Sequence, residues 1–95
     1  MPSYSVYIMT NGHNNVLYVG VTNNLERRVW EHKNGEGGDF TKKYQCVKLV
    51  YYEDFTNIKA AINREKNLKD WKRNWKDDLI TKSNPEWKDI SLEWE

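Results

Sequence analysis

The sequence predicts a small α+β domain, and three observations carry that expectation. Two short β-branched and aromatic runs flank an Asn-Gly loop, a third such run follows later, and two segments space their apolar residues as helices do. Ninety-five residues, 38% of them hydrophobic and five of them tryptophan, suffice for one core and are too few for two. A single domain over residues 1–95 is therefore expected, with 82–95 as a C-terminal extension docked on it. The 31% charged content fits a solvated surface on a folded chain.

The first two strands are YSVYIM (4–9) and VLYVGV (16–21). Asn11-Gly12 between them marks a hairpin, with a loop longer than the two-residue minimum. Pairing Thr10 with Asn15 sets Tyr7 opposite Tyr18, Ser5 opposite Gly20 and Met9 opposite Val16. Alternation then gathers Val6, Ile8, Leu17, Val19 and Val21 on the other face, which is the expected core side. The face with two tyrosines and a glycine is free to be left open to a ligand.

A helix follows in TNNLERRVWEHKNG (22–35), with Asn23 as the expected N-cap and Glu26 completing a capping box. Gly35, Gly37 and Gly38 end it and begin a flexible loop. CVKLVYYEDF (46–55) reads as the third strand. NIKAAINREKNLKDW (57–71) reads as a helix through Ile58, Ala61, Ile62 and Leu68. WKRNWKDDLI (71–80) continues that helix or starts another, with Trp71, Trp75 and Leu79 on one stripe. Pro85 breaks regular structure in the extension, where Trp87 and Trp94 offer docking rings. The expected order is β-β-α-β-α-α.

Several function classes fall away. No apolar run approaches the roughly 18 residues of a membrane span. The segment MPSYSVYIMT has neither the basic stretch nor the cleavage site of a signal peptide. One cysteine excludes an internal disulfide and suits a reducing cytoplasm, and Cys46 reads as a buried strand residue. His13, His32 and Cys46 match no closed zinc site. The net charge of +1 conceals an asymmetry: Lys59–Lys76 holds seven basic and two acidic residues, Asp77 to the C-terminus six acidic and two basic. That pattern suits either a polyanionic partner or a solvated helix surface.

Three charged or polar residues break the apolar stripes. Arg28 and His32 lie on or beside the stripe of Leu25 and Val29, and Glu65 falls between Ile62 and Leu68. A buried charge is costly unless it is paired or binds something. Either Arg28 and Glu65 form an internal ion pair, or both line a cleft beside the tyrosine face.

The chain resembles the GIY-YIG nuclease superfamily, and most closely its small stand-alone bacterial members. The likeness runs through SVYIM, YVG eleven residues on, Arg28 eight residues after Gly20, His32, FTKKY, KLVYYEDF and AINREKNLKDW with Glu65. It implies a three-stranded antiparallel sheet flanked by helices, and a set of roles. Tyr7 would activate water or relay its proton, Tyr18 would hold the phosphate or the nucleophile, and Arg28 would neutralise the scissile phosphate. His32 would assist the tyrosine or contact phosphate, and Glu65 would anchor a divalent metal, Mg2+ or Mn2+. Asn84 loosely matches a late asparagine of several members.

Those residue types suit phosphodiester hydrolysis. A guanidinium fork matches phosphate oxygens better than a lysine point charge does. One carboxylate with waters and substrate phosphate is enough to hold magnesium. Tyrosine, with a reference pKa of about 10, needs help to act as a base. The first motif departs from the family pattern in Ser5, where glycine is usual, and Val6, where isoleucine is. Val21 stands where some relatives carry lysine.

Lys42, Lys43, Arg64, Lys66, Lys69 and Lys72 would form the nucleic-acid footprint. Tyr44 is a candidate for stacking on bases, and Trp30 is expected in the core. The sequence thus predicts a metal-dependent DNA endonuclease, with RNA not excluded. It would select structure rather than sequence, act in repair or recombination, and be a monomer or a homodimer. The alternative is a non-catalytic nucleic-acid-binding module of the same fold.

Overall fold

A computed structural model describes residues 3–94. Its elements are β1 (Tyr4–Thr10), β2 (Leu17–Thr22), α1 (Leu25–Lys33), α2 (Asp39–Tyr44), β3 (Lys48–Phe55), α3 (Ile58–Asp70), α4 (Arg73–Ser83) and a 3-10 turn, Ile90–Glu93. The sheet is antiparallel in the order β2-β1-β3, so the α+β class and the three-stranded sheet stand as expected. No helix among the described residues is long and apolar enough to cross a membrane.

The hairpin register differs from the expected one by two residues. Thr10 pairs with Leu17, Tyr7 with Gly20 and Ser5 with Thr22. The Asn11 side chain explains the wider loop: its Oδ1 accepts the amides of Asn15 and Val16 at 3.0 and 3.3 Å, so the loop satisfies its own backbone without pairing. Asn14 takes the left-handed conformation at φ 58°. A two-residue slip keeps every side chain on its face.

Each face therefore builds a core of its own. Val6, Ile8, Val19 and Val50 pack against Ala61 and Leu68 of α3 and Ile80 of α4, with Trp71 and Trp87 at the margin. A bulge between Ile8 and Met9 in the β1–β3 pairing lets Val50 join that core directly beside Tyr51. Most of the tyrosine face is covered rather than open, with Tyr18 left half-buried at its edge. Tyr7, Met9 and Leu49 lie under Val29 of α1 and Cys46, with Ile90 and Trp94 packed alongside. Cys46 is buried as expected, in the connection before β3 rather than within the strand.

The helix ends follow local chemistry. Asn24, not Asn23, caps α1, its side chain accepting the Arg27 amide, and Asn57 caps α3 by accepting from Lys59 and Ala60. Trp71 is extended (φ −65°, ψ 149°), which separates α3 from α4. The extension begins at Asn84, since α4 runs to Ser83. Asp89 fastens it by accepting the Leu49 amide at 3.2 Å and pairing with Lys33 at 2.5 Å. Trp30 is 56% exposed, not core: it faces a groove with Lys33, Leu92 and Trp94.

Candidate active site

Tyr7 sits in the central strand and is 1% exposed. Its ring lies across Gly20, its partner in β2, so closely that a Cβ at Gly20 would fall 2.6 Å from the Tyr7 hydroxyl. Glycine is required there for that approach. Tyr18, two residues earlier on the same face, lies with its ring centroid 6.2 Å from that of Tyr7 and 5.2 Å from that of His32. His32, on the last turn of α1, is also 1% exposed.

The polar atoms of this cluster form a directed chain. The Tyr7 hydroxyl lies 2.8 Å from His32 Nε2, and His32 Nδ1 lies 3.1 Å from Thr41 Oγ1. The Thr41 hydroxyl donates to the Gly38 carbonyl at 3.3 Å. Having given its only proton there, Thr41 accepts from Nδ1–H. Nε2 is then left with its lone pair toward Tyr7, whose hydroxyl donates to it. Burial, with the positive charge of Arg28, holds the His32 pKa down to about 4, against the pull of Glu31, so the ring is neutral at pH 7. Burial also drives the Tyr7 pKa well above the tyrosine value; Tyr18 adds to this and Arg28 opposes it. No resident phenolate results. The pair instead holds a proton with an empty acceptor beside it.

Arg28 borders the cluster and is half-buried. Its Nη1 donates to Glu31 at 3.0 Å and its Nη2 to the Gly37 carbonyl at 3.0 Å. Partial burial works against its charge, but the Glu31 carboxylate and the nearby Tyr7 and Tyr18 hydroxyls hold it firmly protonated. Arg28 also lines a cleft with Thr22, Asn23, Asn24 and Arg27. Gly37 is a second glycine set by close approach, since a Cβ there would overlap His32 Nδ1. The loop before α2 thus buttresses His32 and orients Arg28 together.

Arg28 and Glu65 form no ion pair with each other; Glu65 pairs with Lys69 at 3.2 Å and its side chain is 16% exposed. Its placement follows from α3. Ile62 lies against Val21 and Thr22, and Lys69 against Tyr18 and Val19. Glu65 falls between them on the same helical stripe of α3. Among the described residues no three His, Cys, Asp or Glu side chains gather as a metal cage. A lone carboxylate does suit magnesium or manganese, hard ions that take oxygen ligands and, for magnesium, keep several of their waters.

The basic residues divide between edges. Arg64 turns to β3, where Glu53 grips it at 2.8 and 3.0 Å and Trp71 lies under it at 5.1 Å. Lys69 turns to β2, Lys72 covers Trp75, Lys66 is exposed, and Lys42 and Lys43 are exposed on α2. Asn84 is spent on backbone: it donates to Val50 and Lys88 carbonyls and accepts the Lys88 amide.

Sequence reasoning missed Thr41, Gly37 and the whole of α2. A signal was present, since Asp39 opens that helix and Lys42 and Lys43 close it, in keeping with the helix dipole. Its end was concealed because Gln45 rather than glycine takes the left-handed cap, at φ 54°.

Residues 3–79 match the family described as the GIY-YIG catalytic domain. The chain belongs to this family. The matched span holds Tyr7, Tyr18, Arg28, His32 and Glu65, and ends before Asn84. Among the curated proteins it is similar to a UPF0213 protein of Clostridium perfringens, 48% identical over 65 residues, covering 68% of this chain and 70% of that one. A UPF0213 protein of Staphylococcus haemolyticus is 38% identical over 80 residues, 84% of this chain and 96% of that one. The fold is shared with the solution NMR structure of the UPF0213 protein BH0048 from Bacillus halodurans, at a TM-score of 0.59 over 96% of this chain and 97% of that one, with 24% identity. A GIY-YIG domain places the chain in a nuclease superfamily.

Proposed function

We propose that this GIY-YIG domain is a metal-dependent endonuclease that hydrolyses phosphodiester bonds in DNA, selects structure over sequence, and serves repair or recombination. The observation that carries this reading is the directed chain Tyr7–His32–Thr41. A buried tyrosine hydrogen-bonded to a neutral histidine, which rests in turn on Thr41, is arranged to move a proton. As a water attacks phosphorus, its proton passes to the Tyr7 oxygen while the Tyr7 proton passes to His32 Nε2. His32 becomes charged only during the step, beside the carboxylate of Glu31.

Arg28 supplies the fixed positive charge for the phosphate, exchanging its Glu31 contact for phosphate oxygens of the same geometry. Tyr18, beside Tyr7 with ring centroids 6.2 Å apart, would hold the phosphate or the attacking water within reach of the Tyr7 hydroxyl. Glu65 would hold the divalent metal by a single carboxylate, giving up Lys69. When bound, that ion supplies charge for the departing oxygen.

A non-catalytic binding module has no use for a buried proton relay, and an acid beside a phosphate-binding cleft would repel its ligand. The test is cleavage of supercoiled plasmid and of branched and single-stranded oligonucleotides with Mg2+ or Mn2+, comparing wild type with Glu65→Gln. The expected outcome is metal-dependent cutting that falls by on the order of 100- to 1000-fold in the variant. The variant should fold normally, because the pair's lysine is half-exposed and glutamine keeps the size and hydrogen-bonding capacity of the Glu65 side chain. Equal cutting by both proteins would contradict the site, and binding without cutting by either would favour the module.

A further inference from the structure

Two aromatic side chains on α2 contribute to neither core. Phe40 is 46% exposed and Tyr44 40%. Their ring centroids lie 4.8 Å apart, and Phe40 reaches Tyr18 at 6.1 Å, so three rings run in a row outward from the catalytic cluster. Lys43 lies over the Tyr44 ring at 5.3 Å, with Lys42 exposed beside it. On the other flank, a groove formed by Leu17, Tyr18, Val19 and Phe40 is walled by Lys69 and Lys76. Glu65 shares Lys69, and Asp39 stands exposed at the start of α2.

Exposed rings with ammonium groups over and beside them match the chemistry of bases on a phosphate strand. Stacking on aromatic side chains is tolerant of sequence because every base has a π-face, and the lysines supply the backbone attraction. A duplex keeps its base faces inside its own stack, so only unpaired bases can use such a row. We propose that Tyr18, Phe40 and Tyr44 form a stacking platform for an unpaired stretch of DNA strand. This names the substrate class of the nuclease read above and rests on that reading: the innermost base settles against Tyr18, bringing its phosphate to Arg28.

The test measures binding in EDTA, so that no cleavage is needed. Fluorescence anisotropy with a labelled single strand of about 15 thymidines, a blunt duplex of the same length and a strand with consecutive abasic sites would be compared for wild type, Phe40→Ala/Tyr44→Ala and Phe40→Trp. Wild type should bind the single strand more tightly than the duplex. The double alanine variant should lose about tenfold or more on the single strand and under about twofold on the duplex, while Phe40→Trp retains binding. The abasic strand should show the same loss with unaltered protein, which separates lost stacking from misfolding. Equal losses on both substrates, no loss on either, or full binding of the abasic strand would overturn the platform. Single-strand preference without cleavage in Mg2+ would keep the platform and fail the nuclease; cleavage without that preference would do the reverse.

Discussion

Tyr7 and Ile8 are neighbours in β1, both are buried, and they point into cores of different kinds. Below Ile8 the contacts are hydrocarbon, from Val6 and Val19 to Ala61, Leu68 and Ile80. Around Tyr7 the apolar residues Met9, Val29 and Leu49 share their space with buried His32 and Thr41, each satisfied by a hydrogen bond. An unpaired polar group in such a place costs about 1–3 kcal/mol, so the network tolerates few changes. The two faces of the sheet divide the labour. One face anchors the sheet by shape-tolerant apolar burial, and that frees the other to hold polar atoms in one fixed arrangement.

Acid should strike the two faces unequally. The His32 pKa lies at about 4 in the fold and near 6.5 when unfolded. Between those values the unfolded chain binds the extra proton, so the stabilisation is complete above pH 6.5 and disappears as pH falls through 4. The loss is on the order of 3 kcal/mol, and urea melts at pH 7 and pH 4 should find it. His32→Gln should flatten that dependence. Glu53 and Asp89, whose pKa values are held below the usual carboxylate range, lose their share at still lower pH.

A smaller blow falls at Gly37. Gly37→Ala drives a methyl into the His32 ring and should cost about 2 kcal/mol, with cleavage falling beyond what unfolding explains. Gly12→Ala, where nothing lies within 4 Å, serves as the control and should leave cleavage and melting unchanged. The smallest effect belongs to the apolar side. Asn57→Ala removes the α3 cap and should lower stability by about 1 kcal/mol in thermal melts, at an unchanged rate per folded molecule.

Alternation made the two faces readable from the chain, because a two-residue error in register leaves Tyr7, Tyr18 and Gly20 on the same side. Arg28 and His32 stood out as polar residues on an apolar stripe. What closes over that face was not readable. Val29 covers Tyr7 through tertiary packing, and Ile90 and Trp94 return from the far end of the chain, contacts that no local pattern encodes. Thr41 and Gly37 were hidden for a related reason: their importance lies in contact with His32 across a loop, and neither residue type is distinctive in itself. The Arg28–Glu65 pairing failed because each side chain found a partner on its own helix, at i+3 and i+4.

The most direct test of the two-face account changes these adjacent residues one at a time. Tyr7→Phe removes a single oxygen and Ile8→Val a single methylene, and both should cost about 1 kcal/mol of stability. Single-turnover cleavage of a DNA substrate in Mg2+, normalised to folded protein, should then separate them. Tyr7→Phe should lose about 100-fold or more, and Ile8→Val should keep the wild-type rate. A Tyr7→Phe protein that cuts as fast as wild type would contradict the two-face account.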